Sequence, residues 1–153
     1  MKKLSRSIIM GMALSLVVLV GLTGSAAAAK PDASFTVGSV AYTAATSTYP
    51  ARLEASDLNW KVYRPDTACI SVWNGTAPVT NTTVCSGAIK GSHEKYPQGL
   101  YVSGQINETQ LSAGASYNLR VDLMRHGKVI ASSTDSYPIT AGTSYQSNIG
   151  PQP

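Results

Sequence analysis

Charge is the first thing this chain lacks. Charged residues make up 13% of its 153 positions, against roughly 25% in an average globular protein. With hydrophobic residues at 43%, that scarcity excludes intrinsic disorder, which needs high charge and little apolar content. Histidine and cysteine are equally sparse, two of each. Cys69 and Cys85 alone do not make a structural zinc site, and His93 and His126 stand far from them in sequence. His93-Glu94 has no second histidine at the spacing of a helical zinc motif. No serine sits in Gly-x-Ser-x-Gly, no glycine-rich loop follows a strand to open a helix, and nothing favours a Ser-His-Asp triad. Asp32, Asp57, Asp66 and Asp122 are scattered, without the spacing of a calcium loop. No catalytic residue, metal or cofactor is therefore expected. Also missing is any stretch that keeps a helical period of 3.6 for three turns.

What is present begins with an export signal. Lys2, Lys3 and Arg6 precede an uncharged apolar run from Ile8 to Leu22. Ala27-Ala28-Ala29 then supplies a small-residue cleavage site before Lys30. These are the three parts of a secretory leader in order, and their style is bacterial. Residues 1–29 are read as a signal peptide. Of the 12 basic residues three lie in the leader, leaving nine against eight acidic ones. A nearly neutral mature chain has no basic patch for nucleic acid or anionic membrane, and its link to a membrane is the export signal alone. Export into an oxidising compartment, extracellular or periplasmic, makes the even pair Cys69–Cys85 a disulfide. Closing a loop of that length stabilises by about 3 kcal/mol in the chain-entropy model.

Residues 30–139 alternate as short strands. Phe35 and Val37 are followed past Gly38 by Val40 and Tyr42, and Gly38 marks a bulge or kink. Leu53 and Ala55 form one alternating pair, and Leu58, Trp60 and Val62 the next. Pro65-Asp66 is a turn, Cys69–Trp73 a strand closed by Asn74-Gly75, and Thr80–Cys85 a Thr-rich edge strand. Another strand spans Leu100–Leu111. Tyr117, Leu119, Val121 and Leu123 alternate cleanly, turn at His126-Gly127, and return through Val129–Ser133 as a hairpin. Residues 87–99 read as a long loop. Residues 140–153, with Gly142, Gly150, Pro151 and Pro153 and no apolar period, read as a flexible C-terminal tail.

Leu111-Ser112-Ala113-Gly114-Ala115-Ser116-Tyr117, followed by Leu119 and Val121, resembles the E–F corner of fibronectin type III and related immunoglobulin-like domains. Trp60-Lys61-Val62-Tyr63-Arg64 resembles strand C of the same family. The resemblance covers roughly residues 33–139. It implies an all-β sandwich of seven or eight antiparallel strands, with Leu111 ending strand E, Gly114 turning the chain, and the Tyr117 hydroxyl bonded back to the preceding backbone. The cysteines depart from the antibody pattern, which bridges strands B and F. Cys69 and Cys85 would instead staple strand C′ to the next strand or loop.

A fold of this kind carries no fixed function, and aromatic residues are the best lead to one. Trp73 and Asn74 at a strand end, His93 and Tyr96 in the long loop, and Tyr101 opening the next strand are the candidate ligand-binding residues, since exposed aromatics anchor protein partners or stack on sugars. The bridge is expected to hold the Trp73 turn near the start of the 87–99 loop. The resulting expectation is a secreted, non-catalytic binding module for a protein partner. A carbohydrate-binding module or a small secreted inhibitor or hydrolase is the alternative, and the oligomeric state is open. Intact mass of the exported protein should show Lys30 as its first residue; recovery of the full-length chain in membranes would instead make the apolar run an anchor.

Overall fold

The third strand must solve a phase problem. Leu53 and Ala55 occupy odd positions and Leu58 and Trp60 even ones, so an unbroken strand would turn one pair to solvent. In the computed structural model, which describes residues 32–148, both pairs are buried on one ten-residue strand, β3 (Arg52–Lys61). The extra residue is Asp57, at φ 54°. Across β3 the register to β6 (Leu100–Gln105) slips there, from Ala55 opposite Val102 to Leu58 opposite Leu100. This is a β-bulge, with one residue more on β3 than on its partner.

On its other edge β3 pairs with β1 (Ser34–Thr36) and β2 (Ser39–Thr43), which form one interrupted line in constant register. The interruption is at Gly38, opposite Asp57. A side chain there would place its Cβ 2.5 Å from the Asp57 Cβ, so glycine is required by contact. The apolar phase flips at the same point, from Phe35 and Val37 to Val40 and Tyr42.

The remaining strands among the described residues are β4 (Thr67–Asn74), β5 (Ala77–Cys85), β7 (Ser116–Arg125), β8 (Lys128–Thr134), β9 (Ile139–Thr140) and β10 (Tyr145–Asn148). They complete two antiparallel sheets. One runs β10, β2, β3, β6; the other runs β5, β4, β7, β8, with β9 on the start of β7. Tyr42, Leu53 and Leu58 of the first sheet share one core with Ile70, Leu119 and Leu123 of the second. The fold is all-β, and the β7–β8 hairpin closes at His126 and Gly127, both at positive φ, as a two-residue twisted turn requires. Among the described residues no helix is long and apolar enough to cross a membrane. The leader and residues 149–153 lie outside the described residues.

Three sequence expectations are corrected. Leu100–Leu111 is not one strand: β6 stops at Gln105 and a short 3-10 turn, Glu108–Gln110, follows. Leu53–Ala55 and Leu58–Val62, read as two runs, lie on one strand, and Val62 falls beyond its end; Cys69 and Cys85 face each other on β4 and β5. Their Sγ atoms are 2.05 Å apart. Nor is the segment from residue 140 a loose tail throughout, because Tyr145–Asn148 pairs with Tyr42–Ser39 in register.

That last pairing is held by polar groups, which is why no apolar period announced it. The Tyr145 hydroxyl donates to Asp135 Oδ2 at 2.9 Å. The Glu108 carboxylate accepts from the Tyr42 hydroxyl, from the Gly142 N–H at 3.1 Å and from the Ala45 N–H at 2.8 Å. Burial, together with the bond to Glu108, pushes the Tyr42 hydroxyl up to about 12. Burial also pulls the Glu108 carboxyl upward, but its three hydrogen bonds outweigh that and hold it below its ordinary value.

Tyr117 is buried, and its hydroxyl accepts from the Ser112 backbone N–H at 2.9 Å. Gly114, at φ 73°, turns the chain between them. Tyr117→Phe keeps the ring and leaves that N–H unpaired, so denaturant unfolding should show a loss of about 1–3 kcal/mol; an unchanged midpoint would make the bond incidental. For Glu108 the sign is set by its lowered folded-state value. Its stabilisation is complete above the unfolded carboxylate range and is lost as pH falls through the lower folded value. Thermal melts below about pH 5 should therefore drop more steeply for the wild type than for Glu108→Gln. Parallel curves would contradict the clasp.

Candidate functional site

The loops beyond β3 and between β5 and β6 meet at one end of the molecule. Lys61 ends β3, and Val62 turns the chain at φ 71°, a conformation that is a genuine outlier for a β-branched residue. The long loop is pinned at its start, where the Ser86 N–H donates to the Ala68 carbonyl at 2.8 Å and the Ile89 N–H to the Asp66 carbonyl at 2.9 Å. It then makes a short 3-10 turn, His93–Lys95, which sets His93 and Tyr96 against Trp60. The His93 ring meets the indole edge-on with centroids 5.4 Å apart, and the Tyr96 ring lies 5.7 Å away.

A chain of hydrogen bonds fixes His93. The Asn59 amide donates through Nδ2 to the Asp57 carbonyl at 2.9 Å, which leaves its Oδ1 to accept from His93 Nε2. The bulge in β3 thus orients the loop through Asn59. Between these elements is a pocket of about 350 Å³, lined by Trp60, Lys61, Val62, Arg64, Ser92, His93 and Glu94, with Ser34 and Thr36 of the adjacent β1. Trp60 is 3% exposed, and its indole N–H is buried without a hydrogen-bond partner. Lys61 and Arg64 join no ion pair among the described residues.

The sequence candidates fall in three places. His93 and Tyr96 belong to this pocket's wall and support. Trp73 and Asn74 do not join them. Cys69 and Cys85 are direct cross-strand partners at the open end of the β4–β5 hairpin, whereas Trp73 and Asn74 are near its closed tip, paired with Pro78 and Ala77. Four residues of strand, about 13 Å, separate Trp73 from the bridge, and the long loop starts at the bridge end. The two features therefore lie at opposite ends of the hairpin.

Trp73 lies on the outer face of the second sheet. Its indole N–H donates to Ser71 Oγ at 2.8 Å, and the Arg120 guanidinium stacks 4.2 Å above its ring. Arg120 is itself tied to Asp122 at 2.7 Å and to Ser132 at 2.8 Å. Tyr101 is 54% exposed on the outer face of the first sheet and donates to Glu54 Oε1 at 2.8 Å.

Sequence reasoning placed Trp60 and Val62 on one apolar strand face and gave Asn59, Lys61 and Arg64 no binding role. Trp60 does follow the apolar phase of β3, so the pattern carried no hint of its unpartnered N–H. Among the described residues no group of three His, Cys, Asp or Glu could hold a metal ion. No family model matches the chain, and neither a curated protein nor a solved structure shows significant similarity to it.

Proposed function

We propose that this chain is an exported, non-catalytic binding module with an immunoglobulin-like, fibronectin type III-like sandwich, and that it recognises a protein partner through the loop end around Trp60. The observation that carries the reading is the pocket, where Lys61, Arg64 and a loop fixed by hydrogen bonds line one concave surface. Pre-formed concavities with a few convergent polar groups are where ligands bind, and a loop already ordered loses less entropy on contact.

The strand arrangement supports the fold part of the proposal. With β1 and β2 taken as strand A, β3 as B and β6 as E, the first sheet has the order A-B-E. The second, with β5 as C′, β4 as C, β7 as F and β8 as G, has the order C′-C-F-G. The Tyr117 hydroxyl on the Ser112 backbone is where a tyrosine corner would put it. The Cys69–Cys85 bond suits an extracellular or periplasmic protein.

A sugar-binding reading draws less support. It calls for a flat row of open aromatic faces, whereas Trp73 lies under Arg120 and Tyr101 stands on the other sheet. A hydrolase would need His93 beside a nucleophile and an acid, whereas its Nε2 is engaged by Asn59.

Capture from the secreted proteins of the host, followed by affinity measurement on the purified partner, tests the proposal. His93→Ala and Arg64→Ala should each weaken binding about tenfold or more while melting temperature is kept, as central contacts do. Tyr101→Ala, outside the pocket lining, should bind normally. Unchanged affinity in both pocket variants, or retention on polysaccharide in place of protein, would contradict it.

A further inference from the structure

Counted, the charges of the mature chain nearly cancel; placed, they do not. Of the 12 lysines and arginines, three lie in the leader and Lys30 lies outside the described residues. Six of the other eight, Lys61, Arg64, Lys90, Lys95, Arg125 and Lys128, are exposed, and the topology brings all six to the pocket end. Lys61 ends β3, and Arg64 stands in the turn to β4. The tip of the β7–β8 hairpin lies beside the start of β4, since Thr67 pairs with Met124. Lys90 follows Ile89, which is bonded to Asp66, and Lys95 closes the 3-10 turn that carries His93. Among the described residues none of the six joins an ion pair. Arg125 and Lys128 are direct cross-strand partners, and like charges placed opposite each other destabilise a hairpin. An anionic partner would relieve that repulsion.

Away from this end the balance reverses. Arg52 is paired with Glu54 and Arg120 with Asp122, while Glu108 and Asp135 join no ion pair among the described residues. The domain is thus polarised along its strands, with its free positive charge at the pocket end. Such a field draws in an anionic surface and speeds encounter. Two features favour a protein over a bilayer or a nucleic acid. Asp32, Asp66 and Glu94 stand among the cations, and a uniformly anionic surface would be repelled by them, whereas a protein face can match both signs. Val62 and Val129 are exposed at the same end and offer apolar contact between the charges. We infer that the pocket end is steered by its charge onto an acidic face of the protein partner, with cations outside the pocket raising the rate of association. This inference rests on the binding-module reading and adds the partner's charge and the way it is reached.

Lys90 and Lys128 do not line the pocket, so changing them alters the field more than the contact. With the partner purified by capture, stopped-flow association should slow roughly tenfold or more between about 0.01 M and about 0.15 M salt, as the screening length falls from about 30 Å to about 8 Å. The double change Lys90→Glu, Lys128→Glu should slow association roughly tenfold at the lower salt and leave dissociation nearly unchanged. Lys90→Gln, Lys128→Gln should fall between, and all three proteins should converge at about 1 M salt. A defined probe locates the surface without the partner. In 15N-labelled protein, poly-L-glutamate should shift the amides of residues 61–64, 90–95 and 125–129 and leave those beside Tyr49 and Tyr137, at the other end, in place.

Association that ignores salt, or a double Glu variant that associates as fast as the wild type, would overturn the inference and leave the binding-module reading standing. Poly-L-glutamate shifts spread over both ends would do the same. Retention at about 0.15 M salt on phosphatidylglycerol vesicles or double-stranded DNA, lost in the double Glu variant, would assign the charged end to lipid or nucleic acid and overturn it. Failure to capture any protein would overturn the reading and, with it, the inference.

Discussion

β3 keeps Leu53, Ala55, Leu58 and Trp60 in one core only because it gains a residue between its two halves, and Asp57 is that residue. Both neighbouring strands are shaped around it. Gly38 on the β1–β2 line leaves no room for a side chain against the Asp57 Cβ. Gly99, just before β6, would drive a Cβ to 2.6 Å from the Asp57 Cα. Both glycines are thus fixed by the close approach of a bulged strand. Without the bulge the second half of β3 would turn Leu58 and Trp60 to solvent, and the core would lose two of its large side chains on one strand.

The same bulge makes the pocket. It aims Trp60 inward, frees the Asp57 carbonyl to accept from Asn59, and through Asn59 sets the tautomer and position of His93. A strand irregularity of this kind redirects a side chain without breaking the sheet. The opposite end of the molecule is built differently. There Glu108 gathers Tyr42, Ala45 and Gly142, and Asp135 holds Tyr145, so the chain's last described strand is fastened by hydrogen bonds to carboxylates.

This division explains what could be read from the sequence. The β7–β8 hairpin was legible because Leu119, Val121 and Leu123 alternate without interruption and end at a glycine turn. The change of phase from Ala55 to Leu58 was visible too, although it read as two runs and not as one bulged strand. Tyr145–Asn148 was not legible, since Tyr-Gln-Ser-Asn has no apolar period and its partners, Ser39–Tyr42, lie about 100 positions away. The expected meeting of Trp73 with His93 and Tyr96 failed for a topological reason. A disulfide between Cys69 and Cys85 constrains only those two positions, and whether Trp73 lies toward the bridge or away from it depends on where the hairpin turns. The pocket itself left little trace, because Trp60 satisfies the core pattern and the loop that brings His93 beside it has no apolar period.

Substitution of Gly99 tests the dependence on the bulge most directly. Gly99 and Gly127 have nearly the same backbone conformation, φ 77° and 72°, but an added Cβ meets Asp57 backbone at Gly99 and nothing within 4 Å at Gly127. Gly127→Ala should therefore cost only the left-handed penalty of about 1–2 kcal/mol. Gly99→Ala should cost that plus about 1–3 kcal/mol for the overlap, measured by denaturant unfolding of both variants beside the wild type. Equal losses would mean that the chain does not need its close approach at Asp57, and the account of both core and pocket would fail with it.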